Sequence, residues 1–344
     1  MMEQYRTPLM FAMMAALLAI VGIFQSWNVA LTIVNLCLIS SIMTLGVNIQ
    51  WGYAGLVNFG MMGFTALGGL AAVLIAMPPV PDAWAAGGSG VMAGLAIIVV
   101  TAIVSLLIWK KLRGSGVKRY WLTALSIIIG VVTMRLVADP SIAAIESVES
   151  ARTGYLGGFG LPVTLSWIVG GFVAAGAAFV IGRISLGLRS DYLAIATLGI
   201  SEIVIYVLKN EDWLARGVKN INGLPRPVPY EIELQETPWV SQLADMLGVS
   251  VVDVSTIMVK LSYAGLFTVV LLIFLWLSEV ALRSPWGRMM RAIRDNEVAA
   301  NAMGKHVTAR HLQVFILGSA MVGVAGAMLT TLDGQFTPAS YQPL

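Results

Sequence analysis

The sequence predicts an all-α polytopic membrane protein, and three observations carry that prediction. Hydrophobic residues make up 58% of the 344-residue chain and charged residues only 11%, where a soluble domain carries about 25% charged residues. Mean hydropathy is +0.84. The apolar residues also come in long runs, and a helix needs roughly 20 residues to cross a bilayer core of about 30 Å. Inside lipid only helices and closed barrels satisfy their own backbone groups. Barrel strands would alternate in polarity, and these runs do not.

About nine transmembrane helices follow, drawn at 8–25, 29–47, 55–77, 91–109, 121–138, 163–182, 191–209, 259–282 and 311–330 of one transmembrane domain, residues 1–344. The first has Arg6 and Pro8 ahead of it and no clean small-x-small cleavage site after it, so it reads as an uncleaved span. The single cysteine, Cys37, lies in the second run and reads as a buried core thiol. The third run holds Gly55, Gly60, Gly63, Gly68 and Gly69, which points to a broken or re-entrant segment near 48–69.

Lys and Arg concentrate in cytosolic loops. With the N-terminus inside, the inner loops hold 14 of them: Arg6, Lys110, Lys111, Arg113, Lys118, Arg119, Arg183, Arg189, Arg283, Arg288, Arg291, Arg294, Lys305 and Arg310. The outer loops hold 4, Arg152, Arg216, Lys219 and Arg226, and are otherwise acidic. The largest polar segment, 210–258, falls outside. Its "NGLPRPVPYEIELQETPW" is expected to resist regular helix because of its prolines, with a short surface helix near Gln242–Val249 and an ordered cap that meets a partner.

Between the last two runs lies a mixed-charge stretch, residues 283–310, that must face water. A short helix is predicted near 295–304. Asp295 or Asn296 can cap it, and Glu297 suits its positive end. Ala299, Ala300 and Ala302 allow close approach, and Gly304 with Lys305 marks its stop. Arg288, Arg291 and Arg294 precede it at three-residue spacing. A plain solvated basic loop is the alternative. The two caps, the small residues and the arginines together fit a coupling helix that inserts into a groove on another protein.

The same residues carry a resemblance. "RAIRDNEVAANAMGKHVTARHLQVFILGSAMVGVAGAML", "LGVNIQWGYAGLVNFGMMGF" and "LRSDYLAIATLGISEIV" resemble, in order, motifs of the permeases of the branched-chain amino-acid ABC importer family. The resemblance implies two cytosolic ABC ATPase subunits, a second permease subunit in a heterodimer, a periplasmic binding protein, and a bacterial inner-membrane location. It makes Arg291, Arg294, Asp295, Asn296, Glu297, Ala300, Met303 and Gly304 the expected ATPase-coupling residues. Urea and short-amide permeases look similar, and an ATP-independent secondary transporter is the rival class. Two departures stand out. Met61 occupies a position where relatives often carry His, and relatives continue past the last apolar run, so this chain is expected to be truncated or completed elsewhere.

The chain holds no phosphate-cradling loop around its only Gly-Lys pair: Ala299 stands five residues before Gly304, and His306 follows Lys305. Energy from ATP must therefore arrive through a docked subunit. His306 and His311 match no zinc spacing, and no catalytic constellation stands out, so no enzyme, cofactor, metal or nucleic-acid role is expected. Asn48, Gln50, Tyr53 and Asn58, set among glycines, are candidates for a substrate path in which broken helix ends receive a zwitterion. Close packing through small residues is the other reading. Tyr192, Thr197 and Glu202 in the central motif join the candidates. An intramembrane carboxylate is costly, so Glu202 either lines the path or meets a buried polar partner. Glu279 and Arg283 read as a helix-end ion pair, and Asp191 as a helix cap.

Overall fold

The computed structural model describes residues 2–114, 116–149, 154–188 and 190–341, with side chains from residue 8 onward except those of Ser190 and Asp191. The charges assigned to Arg6, Arg152 and Arg189, and the cap expected of Asp191, lie outside the described side chains.

All nine apolar runs contain a long helix. Two come first, α1 (Met2–Phe24) and α2 (Trp27–Val47). Ser26 accepts a hydrogen bond from the Val29 amide at 3.2 Å and so caps α2. Residues Asn48–Tyr53 widen into a π-helix, an extended stretch follows, and α3 (Met61–Ala76) resumes. The helical turns α4 (Pro81–Ala83) and Trp84–Gly88 lead into α5 (Ser89–Lys111), then α6 (Val117–Ser147), α7 (Val163–Ser185) and α8 (Ser190–Asn210). Three short helices come next: α9 (Asp212–Ala215), α10 (Glu231–Gln235) and α11 (Pro238–Leu247). The chain then runs through α12 (Val251–Arg283), α13 (Pro285–Asp295), α14 (Glu297–Ala302) and α15 (Val307–Asp333). Seven of these helices are long and apolar enough to cross a membrane, and Pro8–Phe24 and Met61–Ala76 are shorter apolar helices.

Several expectations need correction. The eighth span starts at Val251, not 259, because Ser250 accepts the Asp253 amide at 3.1 Å and caps a polar first turn. The outer segment does hold regular helix: Pro238 takes the first helical position of α11, where a missing amide costs nothing. Cys37 is exposed, not buried. It shares an open groove on α2 with Ser40, Ser41, Thr44 and Asn48.

Helix α15 is the central post, packed against α2, α3 and α7. Lipid is as apolar as a side chain, so helices associate in membranes through close contact, and small residues permit it. A Cβ placed on Gly68 would fall 1.9 Å from the Gly323 carbonyl oxygen, and one on Gly326 would fall 2.1 Å from that of Thr65. Gly46 and Gly318 also face each other: a Cβ on either would meet the other's carbonyl oxygen at 2.7 or 2.6 Å. The glycines that read as a possible break are thus also the contact surface of the bundle.

Connections fall at two ends. One end gathers residues 48–60, the α5–α6 and α7–α8 turns, α13 and α14. The other gathers α4, residues 154–162 and α9–α11. There β1 (Ile221–Asn222) pairs antiparallel with β2 (Gln335–Phe336), just past α15. Arg226 holds Glu231 through two bonds of 3.0 and 2.8 Å, and Lys219 lies 2.9 Å from Asp212. The Tyr341 hydroxyl lies 2.8 Å from Thr330 Oγ1, and burial pushes its pKa up to about 12. The polar outer segment is therefore stitched to the end of the post.

Candidate functional site

The break between residues 48 and 60 is built from hydrogen bonds that reach across helices. Gln50 is fully buried. Its Nε2 donates to the Phe315 carbonyl at 2.9 Å and to Ser319 Oγ at 3.1 Å, both on α15. Its Oε1 accepts from Asn58 Nδ2 at 2.9 Å. Asn58 Oδ1 in turn accepts the Gly60 amide at 2.9 Å.

The first turn of α3 has amides with no partner within its own helix, and α8 supplies some of the acceptors. Thr197 Oγ1 accepts from the Phe59 amide at 3.2 Å, and Ser201 Oγ accepts from the Gly63 amide at 2.7 Å. Gly60 and Gly63 let α8 come this close, since a Cβ on either would fall within 3 Å of α8 backbone. Gln50, Asn58 and Thr197 are thus brought together, buried, with their polar atoms engaged inside the chain. Ser201 and Ser319 belong to the same network and escaped the sequence reading. Ser201 stands next to the more conspicuous Glu202, on the opposite face of α8.

Next to this break lies the charged segment. Ser284 caps α13, accepting from the Trp286 amide at 3.2 Å, with Pro285 at the first helical position. Gly287, Met290 and Ile293 form the buried face of α13, and Met290 and Ile293 pack in one cluster with Ile49, Ala54 and Leu56 of the break. Arg288, Arg291 and Arg294 are exposed. The Arg294 guanidinium donates to the Gly52 carbonyl, and its stem lies over Gly55. Arg294 therefore ties α13 to the π-helix, and does not simply project into water.

The cap of α14 is Asn296, whose Oδ1 accepts from the Ala299 amide at 2.9 Å. Helix α14 has no buried residue. It stops at Gly304, whose φ of +78° few side chains tolerate. Val298 and Met303 are each 79% exposed. They place two apolar side chains on the surface at this end of the molecule. A cavity of about 260 Å³ lies behind, lined by Gly55, Leu56, Leu193, Arg294, Glu297 and His311.

The remaining candidates lie apart. Tyr192, Ile195, Gly199, Glu202 and Tyr206 form one exposed stripe of α8, opposite Thr197 and Ser201. Glu202 is exposed, about mid-way along α8, and makes no hydrogen bond or ion pair among the described residues. Asn48 is exposed in the groove on α2, and Tyr53 is half-buried. Among the described residues no cluster of three His, Cys, Asp or Glu is placed to hold a metal ion. The Arg283–Glu279 ion pair forms as the spacing predicts.

A family model described as branched-chain amino acid transport system / permease component matches residues 29–343. The chain belongs to this family. The permease is 30% identical over 221 residues to the high-affinity branched-chain amino acid transport system permease protein LivM of Salmonella typhimurium, covering 63% of this chain and 51% of that protein. Against the LivM protein of Escherichia coli the identity is 29% over 221 residues, with the same two coverages of 63% and 51%. The probable LivM permease of Methanocaldococcus jannaschii is 26% identical over 174 residues, 49% of this chain and 41% of that protein. The permease thus spans about half the length of the curated relatives it matches. No solved structure matches it.

Proposed function

We propose that the chain is the membrane-spanning permease subunit of an ATP-driven importer for branched-chain or closely related amino acids. The observation that carries this reading is the family match across 29–343, joined to a small exposed helix on a tightly anchored base. The basic end faces the cytosol, in the inner membrane, with the N-terminus inside. There a pair of ABC ATPases grips α14 through Val298, Ala300 and Met303, with Arg291, Asp295 and Glu297 around the rim. Asn296 and Gly304 set the start and stop of the lever. Arg294 and the Met290–Ile293 face pass its displacement to the break at 48–60.

A second permease subunit covers the exposed stripe of α8, because a mid-span carboxylate cannot remain facing lipid. The path then runs along that stripe, and Glu202 attracts the ammonium group of the amino acid between Tyr192 and Tyr206. Gln50, Asn58 and Thr197 position the break, since their polar atoms are already engaged in this conformation. Asn48 and Tyr53 flank it. The binding protein docks on the acidic end, over α9–α11.

The test is Val298→Asp with Met303→Asp, in cells carrying the whole assembly. Uptake of labelled leucine should be lost and the ATPases should no longer co-purify, while the permease stays in the membrane. Uptake at the wild-type rate would sink the docking assignment. Competition by unlabelled leucine, urea and short amides reads the substrate class separately.

A further inference from the structure

The α5–α6 hairpin stands apart from the bundle. The two helices pack on each other through small residues: a Cβ on Gly130 would fall 2.2 Å from Thr101, and one on Gly94 would fall 2.9 Å from Ala138. Ser105 and Ser126 hydroxyls meet at 2.9 Å. On the rest of the molecule the hairpin rests chiefly on Trp84–Gly88, α4 and α9, all at the acidic end. Its basic end is free of the body, and its flanks expose Ile98, Val99, Leu106, Leu107, Ile128 and Leu136.

That free end carries Lys110, Lys111, Arg113, Lys118 and Arg119, and no Asp or Glu occurs between Asp82 and Asp139. None of the five cations makes an ion pair among the described residues. Trp109, Tyr120 and Trp121 flank them, all exposed. The Arg119 guanidinium lies 3.4 Å from the centre of the Trp109 ring, and Tyr120 meets that ring edge-on at 5.4 Å. Arg119 Nε is buried with no hydrogen-bond partner. A loop that merely marks the inner side needs positive charge but no such order. Here one guanidinium is held over an indole, with donor capacity left over and four exposed cations around it.

We propose that the tip of the α5–α6 hairpin is a binding site for anionic phospholipid headgroups. Arg119 on Trp109 forms its floor, and Lys110, Lys111, Arg113 and Lys118 surround the phosphodiester. Each Lys or Arg beside an anionic surface strengthens attraction roughly fivefold. The bound lipid anchors the end of an arm that otherwise rests on this chain chiefly at its opposite end.

The purified full-length chain in nanodiscs tests this, with spin-labelled phosphatidylglycerol and phosphatidylcholine as probes. Wild type should prefer phosphatidylglycerol several-fold, and 0.5 M salt should weaken that preference, in roughly the proportion that screening of exposed charges requires. Lys110→Gln with Lys111→Gln and Lys118→Gln should bring it close to onefold. Trp109→Leu should lower it with the charge unchanged. Arg288→Gln with Arg310→Gln, cations outside the hairpin, should leave it intact. Equal binding of the two lipids by wild type, or loss of the preference in the Arg288/Arg310 variant alone, would overturn the assignment. So would displacement of the labelled lipid by millimolar inorganic phosphate, since that would mark a simple anion site.

Discussion

Replacing Gln50 with Leu isolates what holds the break together. The side chain is fully buried and makes three hydrogen bonds, of 2.9, 3.1 and 2.9 Å, to Phe315, Ser319 and Asn58. Interhelical hydrogen bonds in membrane proteins average about 0.6 kcal/mol, so three contribute roughly 2 kcal/mol. Leucine also leaves the Asn58 amide buried with only the Met61 sulfur at 3.8 Å beside it, and an unsatisfied buried donor costs about 1–3 kcal/mol. The branch of leucine adds crowding, because Gln50 Cγ already lies where a Cβ on Gly318 would come within 2.6 Å. The sum is about 3–5 kcal/mol. Unfolding of the purified chain by sodium dodecyl sulfate in mixed micelles measures it. Asn58→Leu should cost about 1 kcal/mol less in the Gln50→Leu background than in the wild type, since the Asn58 amide is already orphaned there while the Gly60 amide loses its acceptor in both. A Gln50→Leu cost below about 0.5 kcal/mol, or strictly additive costs in the double variant, would refute the network as a stabilising device.

Gly68→Val should destabilise by about 3 kcal/mol or prevent accumulation, because its Cβ would enter the Gly323 carbonyl. Expression level and melting temperature read this, and normal values would show that α15 has slack. Asn296→Ala should cost α14 about 1 kcal/mol of local stability, seen as faster amide exchange at Ala299 with global stability unchanged. Glu202→Gln should leave the purified chain folded and lower uptake by about tenfold or more, whereas unaltered uptake would remove the carboxylate from the path. Tyr341→Phe should cost about 1 kcal/mol through loss of the Thr330 bond. The native phenol, raised by burial, favours folding at neutral pH. That contribution should fade as the pH climbs from 10 through about 12 in the native protein and be absent from the variant.

The helices were legible because the bilayer demands length and apolarity, and each run has both. Their ends were less so. The run ahead of Lys260 looked like loop because Asp253 and Ser255 lower its hydropathy, yet Ser250 and Asp253 are what start the helix. Helix α6 continues past Pro140 to Ser147, an extension that hydropathy does not signal. The caps of α14 were readable, since Asn and Gly do their work within a few residues. The partners of Gln50 were not, because they lie 265 and 269 residues away in the chain. Polar residues among glycines looked like a path, and nothing local distinguishes a side chain that awaits substrate from one already bonded to a distant helix. Cys37 was misjudged for a related reason: apolar surroundings in sequence mean burial in water-soluble proteins, but lipid exposes apolar faces as freely as it covers them.

The glycine contacts also limit how the molecule can move. Helix α15 carries α13 and α14 at one end and runs at the other into β2, which pairs with the outer segment. Contacts as close as those of Gly46, Gly68 and Gly326 leave no room for α15 to slide or rotate alone. On the reading proposed above, closure of the ATPases therefore displaces α2, α3, α7 and α15 as one body. The change in dihedral angles is then absorbed at the two non-helical joints: at Ser284 between α12 and α13, and in the extended residues between the π-helix and α3. Arg294 lies beside that second joint, its stem over Gly55 and its guanidinium donating to Gly52 of the π-helix. A device that moves a rigid bundle needs a latch at its hinge, and Arg294, which lines the same cavity as Glu297 against residues 54–57, is placed to serve as one.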